Sequence, residues 1–322
     1  MAIGEGRLAQ GGPATATMLD RELALVESGL RNALSSDVDL LRIAADLLVR
    51  SGGKRLRPTV LLLACHAVGG TGARAVPLAT AVELLHTASL VHDDINDKSE
   101  LRRGQATINA RWGNGLALLV GDFVFVRLLG LLATCSPRAI QILGDCCTAV
   151  VEGETLQMLH RGDWGMGEAL YLDIVAKKTA SLFAACGELG AVAAGGTEEQ
   201  IAALAEYGEN LGVAFQIQDD TLDLVGEQET LGKPVCLDLE QGSASLAVLY
   251  ALARIVGAVD ILRGGEQAQV REMLQDSGAL AYAAQRARAF VERALSALAV
   301  LPDSQARDEL RRLADYVVLR ER

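Results

Sequence analysis

Apolar residues recur along most of the chain at helical spacing, in runs broken by short clusters of Gly, Pro and Ser. The clearest breaks are SGGKRLRP (51–58), VGGTGA (68–73), RRGQ (102–105), SPR (136–138), RGDWGMG (161–167), AGGTEE (194–199) and LGKPVCLD (231–238). The spans between them are about 12 to 30 residues long, which suits helices and exceeds ordinary strands. No Val/Ile/Thr alternation bounded by hairpin turns stands out. The pattern predicts an all-α fold, with long helices packed around a centre. Residues 1–17, rich in Gly, Ala and Thr, are expected to be disordered. Residues 18–322 are expected to form a single domain, since no linker or solenoid repeat interrupts them.

Composition supports that picture. Half of the 322 residues are hydrophobic, but only 4% are aromatic and only 6 are proline, a balance that favours helices over a β-sandwich. The net charge of −11 argues against a nucleic-acid partner. It also means that a site for an anionic substrate must supply its own local positive charge, from side chains or from metal. Cys65, Cys135, Cys146, Cys147, Cys186 and Cys236 form no CxxC pair and no zinc-spaced cluster, so they read as reduced core residues of a cytoplasmic protein. No charged start followed by an apolar run marks a signal peptide. The most apolar stretches, near 58–68 and 116–133, look too short or too interrupted by Asp122 and Arg127 to span a bilayer.

Two acidic clusters change the picture from architecture to chemistry. Asp93, Asp94 and Asp97 lie in SLVHDDINDKSELRRG, and Asp219, Asp220 and Asp223 in AFQIQDDTLDLVGE. Both read D-D-x-x-D and both follow an apolar helical run. Residues four apart on a helix lie about 40° apart, so the first and last Asp of each cluster share a face. A solvated acidic helix end explains one such cluster as well as a metal site does. Two copies in the same setting point to divalent cations, and carboxylate oxygens favour magnesium, manganese or calcium over zinc.

Basic motifs complement the acids. Lys54, Arg55 and Arg57 lie in a glycine-containing break, Arg102 and Arg103 follow the first cluster, Lys177 and Lys178 precede Thr179, and Lys233 sits in LGKP. Each alone reads more readily as solvated surface. Together with bridging metal they are what a diphosphate requires: the metals join acid to phosphate, and Arg and Lys bind the remaining oxygens.

The motifs GGKRLRP, HTASLVHDDIND with LRRG, WGN followed by VGDF, GETLQ, KTASLF, FQIQDDTLD, LGKP and the terminal LADYVVLRER occur in this order. In them the chain resembles the trans-isoprenyl diphosphate synthase family, especially its medium- to long-chain polyprenyl branch, from about residue 25 onward. The resemblance implies a magnesium-dependent prenyltransferase that condenses isopentenyl diphosphate head to tail with an allylic diphosphate. It implies a helical bundle around a central cavity and a homodimer. The six aspartates would hold about three magnesium ions across that cavity. Arg102, Lys178, Gln216 and Lys233 would complete the grip on the allylic diphosphate. Lys54, Arg57, His86 and Arg103 would bind isopentenyl diphosphate. Gln157 resembles a position near the first metal site, whereas His160 reads as surface.

The same resemblance bears on product length. Ser89 and Ala88, four and five residues before Asp93, are small, and Leu85 one turn deeper is of medium size. Phe123, Val126, Leu129 and Leu132 are candidates for a tunnel floor. Steric exclusion then predicts a product longer than about fifteen carbons, with about thirty or more favoured. One departure stands out. In the stretch from Asp238 to Ala247, Ser243 replaces a common lysine and Ala247 a common proline. Arg320 and Arg322 are candidates to compensate. The competing readings are a class I terpene cyclase, which needs no isopentenyl diphosphate site, and a non-catalytic subunit of a hetero-oligomeric synthase, which would be expected to lose metal ligands.

Overall fold

A computed structural model describes residues 13–225, 242, 244–264 and 267–319. The elements are α1 (Pro13–Ala33), α2 (Asp39–Arg50), α3 (Leu56–Ala67), α4 (Gly72–Asn96), β1 (Leu101–Arg102), β2 (Gln105–Ala106), α5 (Ile108–Trp112), α6 (Asn114–Leu132), α7 (Pro137–Leu159) and α8 (Glu168–Val175). A π-helical turn, Ala176–Ala180, joins α8 to α9 (Ser181–Ala194), and α10 spans Glu198–Val225. The remaining described helices are α11 (Leu246–Leu252), α12 (Ala258–Gly264), α13 (Gln267–Asp276), α14 (Ala279–Ala297) and α15 (Gln305–Leu319). The all-α expectation holds. Helix α1 starts at Pro13, and residues 1–12 of the segment expected to be disordered lie outside the described residues.

The breaks act through identifiable local chemistry. At 136–138, Ser136 Oγ accepts the backbone N–H of Ala139 while Pro137 opens α7, a favoured start because proline's missing donor falls where none is needed. At 194–199, Gly195 ends α9 in the left-handed conformation, where an L side chain is disfavoured. At 102–105 the chain makes a two-residue hairpin, and both turn residues, Arg103 and Gly104, have positive φ. That turn matches the twist of paired strands. The helical reading missed it because each strand is only two residues long.

Helix α9 is the hub, with α3, α4, α7 and α10 packed on it. Backbones approach closely there. A Cβ on Gly187 would lie 1.9 Å from the Leu204 carbonyl oxygen, and one on Gly208 would lie 2.1 Å from that of Phe183. Only glycine permits α9 and α10 to meet this way. The main core gathers α1, α3, α4, α9 and α10 around Leu61, Leu84, Leu189, Phe183 and Tyr207. A second cluster joins α8, the π turn and the lower part of α10 to α11 and α14. Burial of these side chains drives the assembly.

Helix α6 corrects one expectation. By length and composition it is apolar enough to cross a membrane, despite Asp122 and Arg127. It packs along α4, burying Val120, Val124 and Leu128, and Arg127 Nε donates to the Ala33 carbonyl. Its opposite face exposes Leu118, Leu119, Val126 and Leu129. Val126 and Leu129, candidates for a tunnel floor, therefore lie on the exposed face of α6 rather than in the core.

Candidate active site

The two acidic clusters lie at the ends of α4 and α10, two helices that both pack on α9. Asp93 and Asp94 close α4, and Asp97 stands just past it as the cap. Asp219, Asp220 and Asp223 all lie within α10. The π turn joins the two sides through neighbouring residues. Lys178 Nζ lies 3.8 Å from Asp93 Oδ1. Thr179 Oγ1 donates to Gln216 Oε1 at 2.9 Å, and Gln216 Nε2 donates to Asp220 Oδ1 at 2.7 Å. A π turn inserts an extra residue into a helix and recurs at functional sites. Gly153 on α7 makes room for it, since a Cβ there would lie 2.5 Å from the Lys178 backbone nitrogen. Lys177 points elsewhere, 3.5 Å from both Glu152 and Asp173.

Each member of the first triplet meets a cation. Arg102 Nε and Nη2 lie 2.8 and 2.7 Å from Asp94 Oδ1. Arg161 pairs with Asp97. Lys178 is shared between Asp93 and Glu154, and Glu154 also accepts from Asn96 Nδ2 at 3.1 Å. Burial pushes the Asp93 carboxyl up to about 6, against the pull of Lys178. Burial also raises Asp94, with Arg102 opposing it. Burial works against the Lys178 charge too, but Asp93 and Glu154 outweigh it and hold that ammonium above its usual range.

The second triplet has a different setting. Tyr171 Oη donates to Asp220 Oδ2 at 2.7 Å, opposite the Gln216 amide. Asp223 is almost fully buried. Among the described residues, no three carboxylates are already gathered as a closed metal cage. The donor chemistry nevertheless fits a hard divalent cation, because both triplets offer carboxylate oxygens as ligands.

A second basic group forms around the turn before α3. Arg57 Nη1 lies 3.2 Å from His86 Nε2 and its guanidinium sits 4.7 Å from the Phe183 ring centroid. Burial, and then the charges of Arg57, Arg103, Arg102 and Arg55, hold His86 well below the usual imidazole range. Because a guanidinium only donates, the neutral ring accepts at Nε2 and carries its proton on Nδ1. Lys54 Nζ lies 3.1 Å from Tyr316 Oη on α15. Arg103 donates to the Gly52 carbonyl. The hairpin thus sends Arg102 to the first acidic cluster and its neighbour Arg103 to the glycine turn. Arg55 belongs to neither group. Its left-handed backbone turns it onto Glu27 at 2.5 Å and Glu83 at 2.6 Å, a half-buried structural pairing.

A sequence model of the Polyprenyl synthetase family matches residues 38–276. The chain belongs to the polyprenyl synthetase family. It is 38% identical over 309 residues to the octaprenyl diphosphate synthase of Haemophilus influenzae, covering 92% of this chain and 93% of that one. It is 40% identical over 314 residues to heptaprenyl diphosphate synthase component 2 of Geobacillus stearothermophilus, covering 95% and 98%. The polyprenyl synthase of Caulobacter crescentus, solved in complex with calcium and isoprenyl diphosphate, superposes with a TM-score of 0.91 at 37% identity, covering 98% and 99%. The fold is thus the all-α isoprenoid synthase fold, and the chain is a prenyltransferase.

In this polyprenyl synthetase, Leu85 and Ala88 are buried on α4, and Ser89 is half-buried with its hydroxyl donating to the His86 carbonyl at 2.9 Å. Phe123 packs against the main core with the Arg127 guanidinium 5.8 Å from its ring centroid. Leu132 is buried. Gln157 lies half-buried on α7 one turn past Gly153, and His160 pairs with Asp163 at 3.1 Å. Five cysteines are free thiols, and Cys65, Cys146 and Cys186 are buried. Lys233, Cys236, Ser243, Arg320 and Arg322 lie outside the described residues. Glu154, Thr179 and Tyr316 occur in motifs that the sequence presents, but only the fold gives them partners. Arg161 and Tyr171 carry no local signal.

Proposed function

We propose that this chain is a trans-polyprenyl diphosphate synthase. It adds isopentenyl diphosphate head to tail to an allylic diphosphate and makes a product longer than about fifteen carbons. The observation that carries this reading is the π turn, whose adjacent residues Lys178 and Thr179 tie the two aspartate triplets to one space. Asp93, Asp94, Asp97, Asp219, Asp220 and Asp223 would hold divalent cations, with magnesium the first expectation. Such ions, when bound, supply Lewis-acid charge to the departing diphosphate.

The chain's own groups do the rest. Lys178 and Arg102 donate to the allylic diphosphate as its carbon–oxygen bond breaks and negative charge grows on the leaving oxygens. Gln216 orients Asp220, and Lys233 is expected to join this grip. Arg57, neutral His86, Lys54 and Arg103 hold the second diphosphate, so that the double bond of isopentenyl diphosphate lies against the allylic carbon. A new carbon–carbon bond forms, inorganic diphosphate leaves, and a proton is lost from the isopentenyl unit to that diphosphate. Small Ala88 and Ser89 leave room for the growing chain. The paired basic sites favour this reading over a terpene cyclase, which needs only one.

The exposed face of α6, with Leu118, Leu119, Val126 and Leu129, supports a homodimer, because such an apolar stripe is costly to leave in water. The likeness to a component of a heptaprenyl diphosphate synthase supports a second reading, in which a different subunit covers that face. Incubation of the purified chain alone with labelled isopentenyl diphosphate, magnesium and dimethylallyl, geranyl, farnesyl or geranylgeranyl diphosphate decides. Elongation beyond about fifteen carbons is the expected outcome. Failure with all four primers, restored by a second subunit, establishes the hetero-oligomer. Failure under every condition removes the synthase reading.

A further inference from the structure

Arg161 is the one cation on the first triplet to which the proposed reaction gives no role. It stands in the break between α7 and α8, and its side chain is mostly buried. One guanidinium nitrogen donates to Asp97 Oδ1, and Nη1 donates to the Asn96 carbonyl at 3.2 Å. Its Nε is buried with no acceptor. The loop that carries it is pinned from behind. Gly162 N–H donates to the Gly242 carbonyl at 2.8 Å, and a Cβ on Gly242 would press to 2.9 Å from the Gly162 nitrogen. Arg161 is therefore held by backbone on one side and by the end of α4 on the other.

We propose that Arg161 is the resident counter-ion of Asp97, a positioning residue that a divalent cation must displace before the first triplet closes around it. This rests on reading that triplet as a metal site. A carboxylate engaged by a charge-assisted hydrogen bond is a weaker ligand, because metal and guanidinium compete for the same oxygen. The displaced guanidinium stays beside the site, since its loop is pinned. It then offers its donors, including the unpartnered Nε, to the oxygens of an incoming diphosphate. Metal alone binds weakly in this arrangement, and metal with diphosphate binds well, so empty sites do not fill with cation before substrate arrives.

The test is a titration of the purified chain with Mn²⁺ alone, following free Mn²⁺ by electron paramagnetic resonance. Arg161→Ala and the more conservative Arg161→Gln are expected to bind Mn²⁺ about tenfold more tightly than the natural chain, which corresponds to about 1.4 kcal/mol. Arg161→Lys keeps the charge and is expected to return affinity toward that of the natural chain. Far-UV circular dichroism establishes that each variant is folded, and Arg161→Gln serves if the alanine variant is not. Unchanged or weaker Mn²⁺ binding in a folded neutral variant overturns the proposal. If, with inorganic diphosphate present, the natural chain holds no Mn²⁺ that Asp94→Asn removes, the metal reading itself fails and the proposal falls with it.

Discussion

The two aspartate triplets share a sequence pattern but not an environment. The first sits where α4 ends, and Lys178, Arg102 and Arg161 each meet one of its carboxylates. In the second, on α10, Asp220 is held by the neutral donors Tyr171 and Gln216. An ion pair must be broken and a neutral hydrogen bond need only bend when a metal approaches. The first triplet is thus the half in which every carboxylate already carries an ion pair. The second, at Asp220, is a platform oriented by dipoles.

The largest expected effect bears on what the halves share. Asp94→Asn and Asp219→Asn should each lower turnover by about a thousandfold, near the upper range for removing one group that stabilises transition-state charge. A loss on only one side, read in a steady-state elongation assay, would break the symmetry of the two halves. Lys178→Ala should cost about a hundredfold at saturating metal, because the cation serves the leaving group as well as Asp93.

Gly153→Ala is expected next. Its Cβ would meet the Lys178 backbone at 2.5 Å, so it should lower stability by about 1–3 kcal/mol in denaturant unfolding and raise the Michaelis constant for the allylic substrate. Tyr171→Phe, which removes one neutral hydrogen bond from the platform, should change turnover only about fivefold, in line with a net bond strength of about 1 kcal/mol. An effect as large as that of Lys178→Ala would contradict the contrast between the halves.

The smallest effect concerns the main core, which holds Cys65 and Cys146. Burial pushes the Cys65 thiol up to about 11 and Cys146 to about 12. At pH 8, alkylation of Cys65 should be about a hundredfold slower than in the unfolded chain, because the thiolate is correspondingly scarce. The native state keeps protons that the unfolded state has begun to lose by about pH 9. The contribution of these thiols to stability is therefore intact below that pH and declines as pH rises toward 11–12.

The helices and the acidic pattern were legible because they rest on local chemistry. Ser136 and Pro137 start α7 by capping, Gly195 stops α9 by its left-handed backbone, and D-D-x-x-D needs only helical spacing to place carboxylates together. What was not legible depends on contacts across the fold. Lys54, Arg55 and Arg57 look alike in sequence, yet a positive φ at Arg55 turns it to Glu27 and Glu83. Val126 and Leu129 look like interior residues because α6 is apolar apart from Asn114, Asp122 and Arg127, and only its packing along α4 shows which face is exposed. Arg161 is one arginine in a glycine-containing loop, 64 residues from the aspartate it meets.

The most direct measurement is a double-mutant cycle on metal retained in the presence of a non-reactive allylic diphosphate analogue, comparing Asp94→Asn, Asp219→Asn and the double variant. If the triplets share one set of ions, each single change releases most of the diphosphate-dependent Mn²⁺ and the double change adds little. Independent, additive losses from the two sides would contradict a common site.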